Sequence, residues 1–393
     1  MGETSIVNEV TIEKWVYGGE AMARIDGRVV FAPFTLPGEV VQIEAKQGGM
    51  HASLAAVVKP APERVAPPCP LFTRCGGCHY QHAPYDFQVA RKVEILREQL
   101  RRVGKIAWEG EISTIRGPEL GYRNRAQFRL EGGKIGLLAA GSHDLVPLEG
   151  DCPIASPRLN QALAEMRVRM SDRRFPNFVH SVELFTDETS VQVNVIETDR
   201  PVAQVFYQWC ESTLALDYAT AHGTFRVSPR SFFQVNRFLI DQLVEAAVGH
   251  ASGGTALDLY AGVGLFALPL TKKFAKVTAV EGGATAARDL EFNAKANFMK
   301  IRAIQARVED HLERMSDAPD FVVADPPRAG LGRAVTGHLE RLKPAKLTIV
   351  SCDPATLARD LASLTSYGIE KITLVDLFPQ TYHMETVVHL TRR

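Results

Sequence analysis

The sequence predicts a multidomain protein with an N-terminal OB-like β-barrel, an α+β middle domain with a cysteine cluster, and a C-terminal doubly wound α/β domain of Rossmann-like type. Three observations predict it. The chain has 393 residues, too many for one ordinary core. Strand-sized stretches alternate with glycine turns over its first part, and apolar strands alternate with helices after about residue 221. The predicted domains are residues 1–59, 60–220 and 221–393.

The first domain is predicted from short β-like stretches separated by glycine turns. These stretches are Ile6–Ile12, Glu20–Ile25, Arg28–Ala32, Glu39–Glu44 and Ala52–Val58. Five such strands match the size of an oligonucleotide-binding barrel, and a purely structural barrel is an equal alternative. A cluster of prolines from Pro60 to Pro70 stops strand continuation and marks the boundary.

The middle domain mixes helix and strand patterns. Apolar residues from Tyr85 to Val103 recur every three or four positions, which predicts an amphipathic helix with a basic outer face. Residues 91–134 hold eleven Lys or Arg, Lys92 among them, against six Glu, although the formal net charge of the chain is zero. A solvated surface and a phosphate-binding face both remain open for this basic stretch.

The third domain contains seven apolar strand patterns with helical segments between them. They are Thr255–Tyr260, Lys276–Glu281, Ile301–Gln305, Asp320–Asp325, Lys346–Cys352, Lys371–Asp376 and Glu385–Thr391. Near-continuous apolar strands joined by helices predict a parallel sheet covered on both faces. The last link, residues 377–384, is too short for a crossover, so the final strand is expected to be antiparallel.

A cofactor pocket is predicted at the carboxyl ends of these strands. The turn Asp258–Gly264 follows the first strand, and Glu281 ends the second, where its carboxylate can accept hydrogen bonds from ribose hydroxyls. No third glycine opens the next helix, which favours a nucleoside sulfonium such as S-adenosylmethionine over a pyrophosphate-containing dinucleotide. A tight turn without any ligand is the alternative. Asp325, before Pro326 and Pro327, is aimed at the same cleft.

A reacting pair is predicted in that cleft. Cys352 ends the fifth strand next to a helix N-terminus, a location that lowers a thiol pKa, and Glu385 returns to the cleft at the start of the last strand. A thiolate can add to C6 of a pyrimidine, and a carboxylate can then remove the C5 proton. A buried structural cysteine and a surface carboxylate are the alternatives.

Four further cysteines form a candidate metal site. Cys69, Cys75 and Cys78 have the spacing Cys-x5-Cys-x2-Cys, and Cys152 precedes Pro153. Four thiolates suit zinc or an iron–sulfur cluster, and the spacing does not distinguish them. Cys210 is predicted to be a core residue.

The chain resembles the bacterial RNA uracil-C5 methyltransferases that form 5-methyluridine, especially the iron–sulfur-containing 23S ribosomal RNA branch with a TRAM barrel. The matching motifs are Gly18–Glu20, Pro37–Glu39, Ser231–Asn236, Asp258–Gly264, Asp325–Arg328, Ser351–Asp360 and Phe378–Glu385. The resemblance implies that Cys352 is the nucleophile and Glu385 the base. It also implies that Gln234, Tyr260, Glu281 and Asp325 bind S-adenosylmethionine, and that Cys69, Cys75, Cys78 and Cys152 hold a [4Fe-4S] cluster.

Two other function classes compete with this interpretation. One is a methyltransferase for an exocyclic amine, which needs no cysteine nucleophile, and the other is an iron–sulfur RNA-binding protein without catalysis. The expected partner is RNA, with 23S rRNA favoured and tRNA possible. Residues 1–10 lack a secretory signal pattern and no apolar run reaches membrane-span length, so we expect a cytoplasmic monomer without membrane contact.

Overall fold

The computed structural model describes residues 5–46 and 49–393, which divide into two compact units. The first unit contains the described residues up to Arg97, with Gly136–Pro153 and Phe378–His383. The second contains Glu98–Ile135, Ile154–Leu377 and Met384–Arg393. Residues 1–4 and 47–48 of the predicted first domain lie outside the described residues. The compact units are discontinuous in sequence, whereas the predicted domains are three consecutive segments.

Strands make up most of the regular structure. In chain order they are β1 (Ser5–Thr11), β2 (Lys14–Trp15), β3 (Glu20–Ile25), β4 (Arg28–Pro33), β5 (Val40–Lys46), β6 (Ala52–Lys59), β7 (Ile112–Ile115), β8 (Arg125–Glu131), β9 (Lys134–Leu138), β10 (Leu145–Pro147), β11 (Val179–Thr186), β12 (Val191–Thr198), β13 (Leu216–Thr220), β14 (Gly223–Val227), β15 (Gly253–Leu259), β16 (Phe274–Glu281), β17 (Ile301–Gln305), β18 (Phe321–Ala324), β19 (Lys346–Ser351), β20 (Tyr367–Val375) and β21 (Glu385–Arg392).

The helices are concentrated in the second unit. They are α1 (Tyr85–Arg102), α2 (Pro157–Met170), α3 (Gln204–Trp209), α4 (Ile240–Val248), α5 (Ala267–Leu270), α6 (Ala284–Ala296), α7 (Val308–Glu313), α8 (Gly332–Leu342) and α9 (Pro354–Ser363). None of the helices among residues 5–46 and 49–393 combines the length and the apolar character that a membrane crossing requires.

The first unit is built on two antiparallel three-stranded sheets, ordered β1-β5-β6 and β2-β3-β4. A bridge between Phe31 and His51 connects them. The Trp15 ring stacks on Tyr80 at a centroid distance of 3.9 Å, and its Nε1 donates to the Thr35 carbonyl at 2.7 Å. The segment that follows the cysteine triplet therefore packs into the core of these sheets.

Helix α1 forms where the apolar spacing predicts it, but its polar side chains are not all solvated. Lys92, assigned from the sequence to the basic stretch, has no exposed surface, because its stem packs inside and its Nζ donates to the Phe378 carbonyl at 3.0 Å. In the second unit Arg125 is also buried and pairs with Glu183 at 2.7 Å. The exposed positive charge of residues 91–134 is therefore smaller than the sequence count indicates.

An eight-stranded sheet organises the second unit, in the order β17-β16-β15-β18-β19-β21-β20-β7. Its neighbours run parallel except for β21, which is antiparallel to both β19 and β20, as predicted. All four residues of β18 are buried, as a strand covered on both faces requires. The edge strand β7 was not predicted: residues 112–115 fall in the predicted middle domain but pair in parallel with β20.

Smaller elements complete the second unit. Strands β8, β11 and β12 pair antiparallel, and β13 forms a hairpin with β14. Helix α2 begins at Pro157 after an N-cap by Ser156, whose side chain accepts from the Leu159 amide. Helix α6 is joined to β14 through Asn293, which accepts from the Arg226 amide and donates to the Arg226 carbonyl.

Candidate active site at the strand ends

Four predicted site residues lie at one edge of the eight-stranded sheet, where the carboxyl ends of its parallel strands meet. Tyr260 directly follows β15, and Glu281 is the last residue of β16. Asp325 follows β18, and Cys352 follows β19. Ligands of doubly wound sheets bind in the crevice beyond this edge. The topology therefore gathers these side chains where a ligand is expected.

Glu385 reaches the same edge because β21 runs in the opposite direction. Ser351 pairs with Thr386 in the antiparallel register of β19 and β21. This is the last pair of the register. Cys352 follows Ser351, and Glu385, the first residue of β21, precedes Thr386, so both residues lie at this end of the two strands. The negative charge of Glu385 raises the pKa of the Cys352 thiol, as a carboxylate at a neighbouring position does. Two residues 33 positions apart in sequence thus become neighbours.

The thiol of Cys352 is protonated in this ligand-free state. Burial raises its pKa to about 12, the charges of Glu385 and Asp325 act in the same direction, and Arg328 opposes them. The expectation that the helix N-terminus lowers this pKa is wrong for this state. Asp353 Oδ1 accepts from the amides of Ala355 and Thr356, at 3.0 and 2.8 Å, so a carboxylate already occupies the start of α9.

Burial also raises the pKa of the carboxyl groups of the site. Burial raises the pKa of Glu385 well above its ordinary value, and the charge of Asp325 adds to this. Burial raises the pKa of Asp325 to about 7. Glu385 Oε1 is buried without a hydrogen-bond partner in the described part of the chain. A site with several acidic groups and an unsatisfied oxygen favours a cationic ligand and a hydrogen-bonding substrate.

The glycine turn and Glu281 together form a cradle that suits a nucleoside. Glu281 Oε2 accepts from the Gly262 amide at 2.8 Å, and Oε1 accepts from the Gly283 amide at 2.6 Å. Each carboxylate oxygen keeps a further lone pair that can accept from a hydroxyl. Gly262 has φ +55° and open space where a Cβ would stand. The residues present therefore fit the ribose of S-adenosylmethionine.

Gln234 lies apart from the strand ends in sequence, in the segment between β14 and α4. It is 4% exposed. Two neighbours anchor the segment: Ser231 Oγ donates to Asp289 at 2.6 Å, and Asn236 Nδ2 donates to the Leu377 carbonyl at 3.0 Å. Leu377 follows β20, so this segment is tied to the chain just beyond the eight-stranded sheet.

Sequence reasoning did not assign a site role to Asp258, Arg328 or Asp353. Burial and then the charge of Asp325 raise the pKa of Asp258 well above its ordinary value, so it belongs to the same acidic group. Arg328 supplies a positive charge that lowers the Cys352 pKa. All three residues stand inside the motifs quoted from the sequence, and their proximity to predicted site residues was the available signal.

The four remaining candidate ligands, Cys69, Cys75, Cys78 and Cys152, lie in the first unit as free cysteines. Burial raises the pKa of Cys78 to about 12, and the charges of Cys152, Cys75 and Cys69 act on it in the same direction. Cys75 Sγ accepts from the Gly77 amide at 3.4 Å. In residues 5–46 and 49–393 no three His, Cys, Asp or Glu side chains form a metal-binding arrangement. The donor chemistry fits a thiolate-bound metal, but a closed coordination set is not formed. Cys210, in the second unit, is buried as predicted.

Comparison with protein families gives two matches. The family described as tRNA (uracil-5-)-methyltransferase matches residues 186–393, and the TRAM domain matches residues 7–50. The first match covers the strand ends, the glycine turn, Cys352 and Glu385. The second covers most of the two three-stranded sheets of the first unit.

Individual relatives match nearly the whole chain. An uncharacterized RNA methyltransferase of Aquifex aeolicus is 32% identical over 97% of this chain and 98% of its own length. The 23S rRNA (uracil(1939)-C(5))-methyltransferase RlmD of Halomonas elongata is 32% identical over 97% of this chain and 89% of its own length. The crystal structure of Pyrococcus abyssi tRNA (uracil-54, C5)-methyltransferase in complex with S-adenosyl-L-homocysteine superposes with a TM-score of 0.76, at 23% identity, over 98% of this chain and all of that one. This last likeness shows that the two proteins share a fold.

Proposed function

This chain belongs to the tRNA (uracil-5-)-methyltransferase family, and from that premise we propose that it transfers a methyl group from S-adenosylmethionine to C5 of a uridine in 23S ribosomal RNA. The observation that carries the chemistry is the β19–β21 register, which ends with Ser351 opposite Thr386, so that Cys352 and Glu385 are the next residues at that end of the two strands. The name and near full-length match of the Halomonas relative support the choice of ribosomal RNA. A transfer RNA uridine is the alternative, because the Pyrococcus protein of similar fold is named for tRNA.

In the proposed reaction, Cys352 releases its proton to solvent and its sulfur adds to C6 of the uracil, which makes C5 nucleophilic. When bound, S-adenosylmethionine supplies the methyl group and a positive sulfonium charge. Glu385 then removes the C5 proton, the electrons of that C–H bond re-form the C5=C6 double bond, and the C6–S bond breaks. The proton held by Glu385 finally returns the Cys352 thiolate to the thiol. The uracil must leave its stack to reach both residues.

The proposed roles of the other residues follow from their positions. Glu281 accepts from the ribose hydroxyls, and Tyr260, on the turn after β15, lines the same pocket. Asp325 supplies a negative charge toward the cationic end of the cofactor. Gln234 contributes a buried amide from the neighbouring segment. These assignments are supported by the strand-end geometry and by the pKa of Asp325 near 7, which a cation would lower.

Replacing the nucleophile tests the proposal. We expect Cys352→Ala to lose turnover by at least about 10⁴-fold, since a covalent step has no substitute nucleophile. Transfer of tritiated methyl from S-adenosylmethionine to RNA measures this. Cys210→Ala, which changes a buried cysteine outside the site, is the matched control and is expected to retain turnover. Retained methylation in Cys352→Ala would favour the exocyclic-amine class, and absence of any methylation by the wild-type protein would favour an RNA-binding protein.

A choice of substrates tests the RNA. Unmodified ribosomal and transfer RNA are offered in competition, and the methylated nucleotide is mapped. The proposal expects 5-methyluridine in 23S rRNA, and methylation of tRNA alone would replace that substrate while leaving the chemistry intact. RNA containing 5-fluorouridine, which has no C5 proton to lose, is expected to trap a covalent complex with Cys352 that survives denaturation.

We further propose that Cys69, Cys75, Cys78 and Cys152 hold a [4Fe-4S] cluster, whose work is to tie two loops of the first unit together. Support comes from the four thiols and from their mutual influence at Cys78. Iron and acid-labile sulfide in protein purified without oxygen test this. Zinc in their place, or loss of iron only from Cys210→Ala and not from Cys78→Ser, would contradict it.

We also propose three general properties of the protein. They are the three-domain division at residues 59 and 220 with an RNA-contacting middle domain, a monomeric state, and a cytoplasmic location. The [4Fe-4S] cluster needs a reducing compartment, which agrees with that location.

A further inference from the structure

The six residues Phe378–His383 belong by packing to the first unit, although the chain on both sides of them belongs to the second. Only Met384, which is completely buried, separates this segment from Glu385. The segment therefore determines the direction from which the backbone approaches Glu385, the proposed base. We refer to it as the entry segment.

The entry segment is held chiefly through Gln380. Gln88 of α1 is completely buried, and its Nε2 donates to Gln380 Oε1 at 2.9 Å while its Oε1 accepts from the Gln380 amide at 3.1 Å. The same Nε2 lies within hydrogen-bond distance of the carbonyls of Tyr80 and Ala83. Because the buried Gln88 amide makes these hydrogen bonds within the protein, it restricts the positions of the residues that it contacts.

Two further contacts hold the same residues. Lys92, one turn after Gln88 on α1, donates to the Phe378 carbonyl at 3.0 Å. The amides of His79 and Tyr80 both donate to the Gln380 carbonyl, at 2.8 and 3.0 Å. Since His79 directly follows Cys78, the cysteine loop and the entry segment share a hydrogen-bonded junction.

Gln380 itself has a backbone conformation that needs such support. Its φ is +66°, in the left-handed region that is unfavourable for a non-glycine residue. The conformation persists only where the surroundings determine it, and here Gln88 binds both the side chain and the amide of Gln380. Without these bonds we expect the segment to relax, and Glu385, which pairs with Val375 at the start of β21, to lose the support on its N-terminal side.

We propose that Gln88 and Lys92 are positioning residues for Glu385: they hold the entry segment so that the carboxylate meets the C5 proton. This inference rests on the proposed function. A general base must lie within hydrogen-bond reach of its proton, and a displacement of about 1 Å costs on the order of 100-fold in rate. The step most sensitive to Gln88 and Lys92 is therefore release of the methylated base, after the C5 methyl bond has formed.

The test uses Gln88→Leu, which keeps the side-chain volume, and Lys92→Met in the full-length protein. With unmodified RNA, both are expected to lower turnover about 10- to 100-fold. In a single turnover, both should still attach the methyl group, and a methylated protein–RNA adduct should accumulate on denaturing gels. KM for RNA and S-adenosylmethionine should change little. The control is Tyr367→Phe, which removes a buried hydroxyl bonded to the Pro344 carbonyl, far along the sheet from Glu385.

Every outcome of this test either supports the proposal or overturns it. Variants that melt earlier, with unchanged turnover per folded molecule and no adduct, would reduce Gln88 and Lys92 to packing residues and overturn the proposal. If Gln88→Leu does not fold, the adduct level of Lys92→Met decides alone. Adduct accumulation in Tyr367→Phe would also overturn it, since any loss of stability would then suffice. Failure of the proposed function is distinguishable, because wild-type protein would then form no adduct with 5-fluorouridine RNA.

Discussion

Glu39 in the first unit and Glu385 in the second are both buried glutamates, 0% and 4% exposed, but their surroundings differ. Burial raises the pKa of Glu39, yet bonds from Arg64, Leu36 and Ala61 outweigh it and leave that pKa lowered. Glu385 has an acidic neighbour instead, and its pKa is raised. The paired carboxylate stabilises a fold. The unpaired one is available for proton transfer.

Among the tests of this contrast, Glu385→Gln is expected to give the largest effect. We expect turnover to fall about 10³-fold, because an amide cannot accept the C5 proton, while the free energy of unfolding changes little since no ion pair is lost. Methyl-transfer kinetics and urea unfolding measure the two effects. Glu370→Gln, at an exposed position on the neighbouring strand β20, is the control. A strongly destabilised Glu385→Gln protein would mean that this carboxylate is structural after all.

The converse substitution, Glu39→Gln, is expected to lower the free energy of unfolding by about 3 kcal/mol and to leave turnover per folded molecule unchanged. The neutral amide leaves the partly buried Arg64 opposite no charge, and breaking a pair whose carboxylate is completely buried is costly. Urea unfolding measures the loss. The control is Glu13→Gln, at an exposed pair with Arg24, where less than about 1 kcal/mol is expected. Equal losses of unfolding free energy in Glu39→Gln and Glu13→Gln would contradict the expected difference between the buried and the exposed ion pair.

A smaller effect is expected in the pH dependence of S-adenosylmethionine binding, which tests Asp325, the acidic neighbour of Glu385. Asp325 has a pKa of about 7, so below pH 7 it is largely neutral and above pH 7 it attracts a cation. We expect the affinity for S-adenosylmethionine to rise up to about tenfold from pH 6 to pH 8, with proton release on binding. Calorimetry in buffers of different ionisation enthalpy measures both quantities. A flat profile in wild-type protein, or an unchanged profile in Asp325→Asn, would contradict the assignment.

The smallest effect concerns Asp353, whose carboxylate is satisfied by backbone amides. Asp353→Ala is expected to cost about 1 kcal/mol through loss of the α9 cap, and Asp353→Asn less, because asparagine also caps. Both remove a negative charge that raises the Cys352 pKa, so alkylation of Cys352 should become faster at a given pH. Thermal unfolding and alkylation rates separate the cap from the charge. Slower alkylation of Cys352 in both variants would contradict the expected effect of the Asp353 charge on the Cys352 pKa.

The sequence was sufficient for the elements with strong local patterns. Strands β15 to β21, helix α1 and the antiparallel last strand lie where apolar periodicity and link lengths predict them. An antiparallel last strand begins at the edge where the parallel strands end, so the position of Cys352 and Glu385 at one edge of the sheet could also be anticipated.

The parts that escaped prediction depend on distant partners. Nothing local in Ile112–Ile115 indicates that it pairs with β20. Helical periodicity places Lys92 on a polar face but does not indicate that Phe378 covers it. The Cys352 pKa depends on Asp353 capping α9 and on two buried carboxylates, a balance set by three-dimensional arrangement.

Strand β7 has a consequence for synthesis and for engineering. It leaves the ribosome long before β20 exists, so this edge of the sheet closes only when nearly the whole chain has emerged, a late and slow long-range step. A shortened protein starting at residue 221 would contain the glycine turn, Cys352 and Glu385, yet it would leave the nine-residue strand β20 with a bare edge. Such an edge recruits other chains, so this fragment should precipitate while the full-length chain stays dispersed.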